Sequence, residues 1–388
     1  MAILGVALGA GGIALLRPFT SGSPSQLAAT RDAETMPRPL SDAVIRARIE
    51  PSVVDVTATL TFDDETASGT GFVIDAKTGL ILTNNHVIRD ATSVTVTVPA
   101  TGQTYQADIV GVDVAADVAV LQISPEAGLP AAPLGDSATV SAGTRVMSFG
   151  NQAGAGGSPT VAPGVITGTG RTIQADDGAA GFSETLHGML ATSAQIEPGD
   201  SGGPLADSAG AVIGVDTAAG MGGTDTGYAI PIDAAMAAER QIAARERGEG
   251  ISLGVDGFLG VIVGSGTAQS PAVQQAQERG AAPGAAASAG SGRRCLPTQE
   301  DVTTPATIAP VPVGALVVGV LCGTGAATAG IAAGDVITTA DGHQVASSDA
   351  LNTIVAGCRP GAVVPVSWVS TAGLARTALI RLGPAPAA

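Results

Sequence analysis

The stretch GDSGGPL, residues 199–205, places a serine between an acidic residue and two glycines and ends in proline and leucine. One interpretation is a flexible glycine-serine turn, because the chain contains 54 glycines. The other is that Ser201 is a nucleophile. A serine hydroxyl attacks only when an imidazole accepts its proton and an acid orients that imidazole, so this interpretation requires a histidine and an acidic residue elsewhere in the chain.

Two upstream segments supply these partners. LTNNHVI contains His86 just after the apolar run Leu80–Thr83, which puts the ring at a strand end where a cleft can form. AADVAVLQI contains Asp117 at the head of a buried-looking strand, an unusual place for a carboxylate without a partner. Asp117 could also cap the strand, and Asp113 or Asp108 could compete for its role.

Short alternating runs dominate the chain between residues 53 and 231. Val53–Thr61 alternates apolar and polar residues, and about a dozen runs of this kind occur at regular spacing, separated by turns rather than helices. Strands in this pattern form closed antiparallel barrels or a sandwich. The predicted fold class is therefore mainly β.

The strand pattern ends at IDAAMAAERQIAARERG, residues 232–248, which predicts a helix with Asp233 as its N-cap and Gly248 as its end. A short apolar run, GFLGVIV, follows. Residues 264 to about 312 are of low complexity and cannot bury enough apolar surface to form a core, so they predict a loop or linker. A second compact segment comes after them.

Composition and charge exclude several classes of protein. With 388 residues the chain can form two domains with linkers, and an apolar content of 45% argues against global disorder. The formal net charge is -16, and Lys77 is the only lysine. The chain therefore has no basic stripe for nucleic acid or anionic lipid, and we expect no nucleic-acid partner.

The N-terminal sequence indicates export. MAILGVALGAGGIALLRPF has no charged side chain before Arg17, and its glycines and its place ahead of a linker disfavour a buried core helix. We interpret residues 1–20 as the remainder of an export signal or a single-pass anchor. Residues 21–45, which begin rich in proline, serine and threonine, predict a linker. The catalytic part would then lie outside the cytoplasm, anchored to the membrane or secreted.

The three cysteines, Cys295, Cys322 and Cys358, all lie in the last quarter of the chain. They have no CxxC spacing and no histidine at metal-site spacing, so the sequence predicts neither a metal site nor another cofactor. In an exported protein two of them form a disulfide. We predict the Cys295–Cys322 pair, because Cys295 lies in a mobile segment that gains most from closure, with Cys358 left unpaired.

Eight segments between residues 50 and 233 occur in the order of a known family: GTGFVID, GLILTNNHVI, DVAVLQI, LGDS, APGVITG, IEPGDSGGPL, GAVIGVDTA and GYAIPI. Together they resemble the trypsin-like serine proteases of the HtrA (Deg) family. The resemblance implies a chymotrypsin-like double β-barrel with His86 as general base, Asp117 as the acid that orients it and Ser201 as nucleophile. It also implies an oxyanion hole at Gly199, Asp200 and Ser201, in which the first and last N–H groups point at the developing charge.

Asp200 departs from the family pattern, which usually has asparagine before the serine. In the digestive proteases, which share this aspartate, it pairs with an N-terminus freed by zymogen cleavage, and Arg48–Ile49 is the nearby candidate junction. The segment IEPSVVDV otherwise matches the family's opening strand. We therefore expect local N–H groups to hold Asp200 instead.

The segment before Ser201 indicates the substrate preference. Trypsin-type enzymes place an aspartate six residues before the serine, where this chain has Gln195. By family resemblance, Ile196 projects into the pocket and shortens it, while Glu197 faces solvent because unpaired burial is costly. The opposite wall is assigned to Val215, Asp216 and Thr217. Such a pocket favours small aliphatic residues such as valine or alanine at the cleavage site.

In the C-terminal part, GFLGVIV and the segment from GALVVGVL to NTIVAG resemble a PDZ domain. The alternative is that GFLGVIV is only a buried strand. The resemblance implies that a peptide C-terminus binds at Phe258, Leu259, Gly260 and Val261. The predicted domains are a protease domain at residues 46–248 and an α+β PDZ domain at residues 249–385, interrupted by the low-complexity insertion.

Together these features predict an extracytoplasmic serine endopeptidase that cleaves unfolded or exposed polypeptide segments through an acyl-enzyme. The resemblance implies a role in protein quality control and assembly into homotrimers. The alternative is a non-proteolytic chaperone or scaffold that binds peptide ends through its PDZ domain. Labelling of Ser201 by an organophosphonate distinguishes the two.

Overall fold

The computed structural model describes residues 39–62, 65–151, 157–176, 183–217, 227–244, 251–254, 256–264, 295–298, 302 and 305–387. The predicted export or anchor segment, residues 1–20, lies outside these ranges, as does the predicted linker up to residue 38. None of the helices in the described ranges is long and apolar enough to span a membrane. Pro39–Ala388 form one compact unit.

Seven strands form the first sheet: β1 (Val53–Leu60), β2 (Glu65–Asp75), β3 (Leu80–Thr83), β4 (Ser93–Val98), β5 (Gln103–Asp113), β6 (Val118–Gln122) and, from later in the chain, β13 (Ile251–Leu253). Their order is β13-β5-β4-β1-β2-β3-β6, and pairing of β5 with β6 closes β1–β6 into the first barrel, while β13 pairs with β5. Along β4, Val94, Val96 and Val98 are buried and the residues between them are not. This period of two follows from the pleat of a strand with one face on the core.

Six strands form the second barrel: β7 (Arg145–Gly150), β8 (Thr160–Asp176), β9 (Ser183–Thr192), β10 (Pro204–Asp207), β11 (Val212–Thr217) and β12 (Gly227–Pro231). They close in the order β10-β11-β12-β9-β8-β7. Every residue of β11 is buried. The two barrels confirm the predicted double β-barrel.

Helix α1 (Asp42–Ile49) precedes the first barrel and begins within residues 21–45, the segment predicted as a linker. Ile45 and Ile49 are buried in the same core as Phe72 and Phe149. Residues four apart lie on one face of a helix, which explains why both reach the core. Only two apolar positions carry this signal, and the polar residues around them resemble those of a linker.

Helix α3 (Ile232–Ala243) lies where a helix was predicted, but Asp233 is not its N-cap, which is Pro231. The Asp233 carboxylate accepts hydrogen bonds from the Ser137 hydroxyl (2.7 Å) and the Ala138 N–H (3.1 Å). The Ser137 oxygen in turn accepts the Asp233 N–H at 3.1 Å. A loop distant in sequence therefore caps the helix, which local sequence patterns cannot reveal. The predicted helix end lies outside the described residues.

The C-terminal domain contains helices α4 (Gly325–Ala329) and α5 (Ser348–Ala356) and strands β14 (Gly257–Phe258), β15 (Val261–Val263), β16 (Ala315–Val320), β17 (Val336–Ala340), β18 (His343–Gln344), β19 (Val363–Val369), β20 (Ala375–Arg381) and β21 (Gly383–Pro384). Its main sheet has the order β15-β16-β17-β19-β20, with β18 on β17, and β14 pairs separately with β21. Trp368 and Leu351 are buried in its core. The predicted α+β domain is confirmed.

The described residues of the low-complexity insertion form no helix or named strand, and some of them pack on this domain. Cys295 forms a disulfide with Cys322, with the Cα atoms 4.9 Å apart, and the Leu296 N–H donates to the Val320 carbonyl at 2.7 Å. Ala309 is buried in a cluster of apolar side chains with residues of β16 and β17. Composition could not show this, because the contacts come from a few residues among many small ones. Cys358 is a thiol.

The segment from β21 to residue 387 connects the C-terminal domain with the first barrel. The Ala385 N–H donates to the Asp256 carbonyl at 2.8 Å. Ala387 accepts from the Asp90 N–H and donates to the Ala91 carbonyl, both at 2.9 Å, and its side chain is buried in the core of the first barrel. This segment therefore ends just beyond the short helix that carries His86.

Candidate active site

The His86 ring is held by a carboxylate. His86 is the second residue of helix α2 (Asn85–Ile88), and its Nδ1 lies 2.8 Å from Asp117 Oδ2. The His86 backbone N–H donates to the other carboxylate oxygen, Oδ1, at 2.9 Å. A carboxylate only accepts hydrogen bonds, so a neutral ring carries its proton on Nδ1 and presents Nε2 as a base.

Asp117 has an unusual backbone conformation. Its φ is +52°, in the left-handed region, and Asp117 is only 1% exposed to solvent. Its carbonyl accepts hydrogen bonds from the Asn84 side chain (3.0 Å) and the Asn85 N–H (3.2 Å). Residues other than glycine adopt the left-handed region at a cost in free energy, and these two hydrogen bonds hold Asp117 in that conformation. The strain is local to the residue that orients His86.

The two competing aspartates lie elsewhere. Asp113 accepts a hydrogen bond from the Ala116 N–H at 3.1 Å and so closes the turn before Asp117. Asp108 is exposed and pairs with Gln122 in the sheet. The alternative partners of His86 are therefore not supported by the structure.

The other two histidines are also outside the site. His187 Nδ1 lies 3.2 Å from the Thr172 hydroxyl on β8, and His343 is exposed in β18. Among the described residues, no group of three or more His, Cys, Asp or Glu side chains could hold a metal ion.

The GDSGGPL segment forms a tight turn that carries Ser201. Gly199 and Gly202 have φ values of +100° and +87°, which favour glycine. A Cβ atom on Gly202 would clash with the Thr70 carbonyl and the Thr83 hydroxyl. The turn therefore lies directly against the end of β3, the strand that leads into the His86 helix.

Thr70 joins this turn to the first barrel, a role that the sequence patterns do not predict. Its N–H donates to the Ser201 carbonyl (2.8 Å) and its hydroxyl donates to the Gly199 carbonyl (2.7 Å). The same hydroxyl accepts the Asn151 N–H at 2.8 Å, and the Thr70 carbonyl accepts the Thr83 hydroxyl at 2.7 Å. A threonine in a strand is ordinary, so the only local signal is its place between two glycines.

One local N–H group and one hydroxyl from a distant strand donate to Asp200. Its Oδ2 accepts the Glu197 N–H at 3.0 Å, and its Oδ1 accepts the Thr160 hydroxyl at 3.2 Å. Burial raises the pKa of the Asp200 carboxyl, these two donors lower it in part, and the Glu197 charge raises it further. These two hydrogen bonds stabilise the ionised form of the Asp200 carboxylate.

The residues assigned to the substrate pocket lie around β11 and β12. A Cβ atom on Gly227 would clash with the Ile196 side chain, so Ile196 occupies the space that this glycine leaves. Gln195 and Glu197 are exposed, and both line a polar cleft of about 470 Å³. Val215, Asp216 and Thr217 are buried.

The predicted peptide-binding residues are close together in the C-terminal domain. The Leu259 carbonyl accepts the Ala326 N–H at 3.0 Å, and Gly260, with φ +85°, packs on Thr324. Val261 begins β15, the end strand of the main sheet. The Phe258 ring lies 5.2 Å from the Phe62 ring of the first barrel, beside a cavity of about 700 Å³.

Comparison with known proteins agrees with this architecture. Residues 69–215 match the model of the trypsin-like peptidase domain, and residues 291–368 match that of the PDZ domain. The putative serine protease HhoA of Synechocystis is 32% identical over 349 residues, which cover 87% of this chain and 79% of HhoA. The chain belongs to the HtrA family. It is a serine protease with a PDZ domain.

Two further relatives of this HtrA chain extend the comparison. Serine protease PepD of Mycobacterium tuberculosis is 29% identical over 386 residues, covering 94% of this chain and 71% of PepD. The periplasmic pH-dependent serine endoprotease DegQ of Escherichia coli is 30% identical over 302 residues, covering 76% of this chain and 55% of DegQ.

Proposed function

We propose that the chain is an endopeptidase in which Ser201 attacks the substrate, His86 is the general base and Asp117 orients His86. The observation that carries the proposal is that one buried carboxylate holds both the ring and the backbone of His86. Thr70 and Gly202 support it, because they hold the serine turn against the strand that leads into the histidine helix.

In the proposed reaction, His86 Nε2 accepts the Ser201 proton as Oγ attacks the carbonyl carbon of the scissile bond. Asp117 stabilises the imidazolium that forms, and the imidazolium then protonates the leaving amine. The acyl-enzyme is hydrolysed by a water molecule activated in the same way. We assign the oxyanion hole to the N–H groups of Gly199 and Ser201, with Asp200 between them, and each such donor contributes about 3 kcal/mol.

Cleavage of casein by the purified chain tests this proposal. Ser201→Ala and His86→Ala should each abolish most of the turnover, and the double variant should be scarcely worse, because the residues act as a unit. Ser68→Ala and His343→Ala replace exposed residues and are the matched controls, with activity unchanged. Undiminished cleavage by Ser201→Ala, or strictly additive losses, would contradict the assignment.

We also propose a shallow, apolar substrate pocket closed by Ile196, with Gln195 at its entrance and Val215, Asp216 and Thr217 behind it. Small aliphatic residues such as valine and alanine would fit it, with modest discrimination of about 1–3 kcal/mol per methylene group. Ile196→Gly should widen the preference toward larger apolar residues in a peptide-library digest. A wild-type profile led by arginine and lysine would show that the pocket is elsewhere.

The proposed substrates are unfolded or exposed polypeptide segments. The proposed ligands of the PDZ domain are peptide C-termini, which would add as a strand beside Leu259, Gly260 and Val261. Phe258 would then lie at the carboxylate of the bound peptide. The protease domain at residues 46–248 and the PDZ domain at residues 249–385 stay predictions in their boundaries. A role in protein quality control and a homotrimer also stay predictions from the family resemblance.

We propose that the protein works outside the cytoplasm. The Cys295–Cys322 disulfide supports this location, since such bonds persist in oxidising compartments. The name of the relative DegQ places that protein in the periplasm. In the present chain, residues 1–20 would be the export signal or membrane anchor. N-terminal sequencing of the exported protein tests this assignment.

The alternative function is a non-proteolytic chaperone or scaffold that binds peptide ends. The paired His86 and Asp117 disfavour it, because binding alone requires no oriented base. The casein experiment separates the two, because a chaperone or scaffold would release no fragments from casein. Such a protein would also suppress aggregation of its clients equally well in the wild-type form and in the Ser201→Ala form.

A further inference from the structure

Asp216 lies directly behind the turn that carries Ser201. Its N–H donates to the Gly203 carbonyl at 2.7 Å, and its carbonyl accepts the Gly202 N–H at 2.8 Å. These two hydrogen bonds connect β11 to the two residues that follow Ser201. Asp216 is 0% exposed, so solvent screens a change in its charge only weakly, and the turn experiences most of that change.

The Asp216 carboxyl has few hydrogen-bond donors. Its Oδ2 accepts the Ser148 hydroxyl at 2.6 Å. Its Oδ1 is buried and has no hydrogen-bond partner among the described residues. An ionised carboxylate in the interior requires several donors or a cation, and one hydroxyl supplies neither. The protonated, uncharged acid is the form that fits this environment.

Neighbouring ionisable groups favour the same form. Burial raises the pKa of Asp216 well above its usual value, the Ser148 hydroxyl lowers it in part, and the charge of Asp200 in the Ser201 turn raises it further. Asp200 has donors from the Glu197 N–H and the Thr160 hydroxyl, so the single charge of the pair belongs on Asp200.

Among the described residues of the elements packed on β11, none supplies a cation that acts on Asp216. On β12, Ala229 is opposite Asp216, while Tyr228 is opposite Thr217 and therefore lies on the other face. On β10, Asp207 accepts the N–H groups of its own turn. Helix α3 carries three ionisable groups, Asp233, Glu239 and Arg240. Asp233 accepts a hydrogen bond from Ser137, and the charge of Arg240 acts on Glu239.

We propose that Asp216 is a positioning residue for Ser201 and that it acts as an uncharged carboxylic acid. The inference rests on the proposed role of Ser201 as nucleophile. Ionisation of Asp216 would place two negative charges under the turn and weaken the two backbone bonds to Gly202 and Gly203. The active form therefore combines a charged Asp200 with a protonated Asp216, and activity falls at the pH where Asp216 ionises.

The pH profile of the Asp216→Asn variant tests this. Asparagine has the same shape but cannot ionise, so the pH at which kcat is lost on the alkaline side should move upward by about one pH unit or more relative to wild type. Asp216→Leu should lower kcat at every pH, because the Ser148 hydroxyl loses its acceptor. Asp335→Asn is the matched control, since Asp335 is a buried carboxyl in the C-terminal domain and its pKa is also raised by burial.

Infrared spectroscopy gives a readout that does not depend on catalysis. At neutral pH wild type should show the carbonyl stretch of a buried protonated carboxylic acid, and Asp216→Asn should lack that band. In Ser148→Ala the band should remain and shift, since its hydrogen bond is lost, which keeps the test usable should Asp216→Asn fail to fold. A missing band in wild type, or identical pH profiles for wild type and Asp216→Asn, would overturn the inference. Failure of the Ser201 assignment would instead appear as undiminished cleavage by Ser201→Ala, with the infrared band present.

Discussion

Thr70 is the residue through which the first barrel holds the Ser201 turn. Its hydroxyl donates to the Gly199 carbonyl and accepts the Asn151 N–H, and it is 0% exposed. A buried hydroxyl that both donates and accepts is costly to remove, because its two partners are then left unsatisfied. The position of the proposed oxyanion hole therefore depends on a residue in the other barrel.

We predict that Thr70→Val lowers kcat/KM about 10-fold or more while Thr70→Ser retains most of the activity. Valine has the same shape without the hydroxyl, and two lost hydrogen bonds of about 1 kcal/mol each correspond to such a loss if they act on the turn. The measurement is steady-state cleavage of a peptide substrate. Thr97→Val, which removes a threonine pair with Thr104 at the surface of the same barrel, is the control. Equal effects of the two valine variants would show that Thr70 is only a packing residue.

At the residue scale, the sequence predicts groups whose chemistry is distinctive. His86 and Ser201 stand out because few residue types can act as base and nucleophile, and motif order then separates Asp117 from Asp113 and Asp108. Thr70 could not be found, because its role comes from contacts with residues more than a hundred positions away. Asp233 was misassigned as an N-cap for the same reason.

At the scale of elements, β8 and β9 form a longer hairpin than the sequence indicates. The segment Ala175–Gly188 is polar and rich in glycine, as is typical of a loop, yet β8 runs to Asp176 and β9 starts at Ser183. Leu186 in β9 is buried and pairs with Ile173. Burial of one apolar residue on each strand outweighs the weak strand propensity of their neighbours, which a single-sequence pattern underestimates. Residues 177–182 lie outside the described ranges.

The C-terminal segment after β21 is the second element that the sequence did not predict. Proline and alanine carry little pattern, yet Ala387 is buried in the core of the first barrel and bonds to Asp90 and Ala91. Since β21 also pairs with β14, the strand that contains Phe258, this segment connects the proposed peptide-binding residues to the end of the His86 helix.

We predict that Ala387→Asp destabilises the protein and changes the response of cleavage to hydrophobic C-terminal peptides. A buried, unpaired carboxylate is costly, and the segment would leave the first barrel to avoid that cost. Thermal unfolding and peptide titrations of cleavage rate measure the two effects. Ala372→Asp, at an exposed alanine in the same domain, is the matched control. An Ala387→Asp protein with the melting temperature and peptide response of wild type would refute the role of this contact.

At the scale of the whole molecule, buried carboxyls are a common feature of both domains. Burial raises the pKa of Asp55 to about 6, and it also raises the pKa of Asp200, Asp216, Glu239 and Asp335. The folded protein therefore binds protons that the unfolded chain has already released. The formal net charge of -16 adds self-repulsion that also grows as carboxyls ionise.

We predict that the free energy of unfolding increases as the pH is lowered from about 8 to about 5. A carboxyl with a raised folded-state pKa stabilises the protein below its unfolded pKa, and this stability is lost as the pH rises through the folded pKa, by about 1.4 kcal/mol per pH unit for each proton. Asp75, whose pKa is lowered by the Lys77 N–H and the Thr78 hydroxyl, acts only below its usual value, outside this window. Urea titrations across this range measure the slope, and Asp55→Asn should reduce it below about pH 6. Stability that is flat or rises toward high pH would contradict the prediction.

The overall architecture follows from the sequence because both domains carry ordered sets of motifs. The double barrel and the PDZ domain could be predicted in this way, and the three cysteines indicated the link between Cys295 and Cys322. The burial of Ala309 against β16 and β17 could not be predicted, because this residue is surrounded by residues of low complexity. Contacts made by isolated residues in long loops leave no periodic signal.

The central claim is that Ser201 is a nucleophile activated by His86 and Asp117. The most direct test is to treat the folded protein with an organophosphonate and to locate the adduct by peptide mass spectrometry. We predict one adduct, on Ser201, that forms in wild type and in Ser68→Ala and is nearly absent in His86→Ala. A folded protein that stays unmodified, or one modified on another serine with Ser201 untouched, would contradict the account.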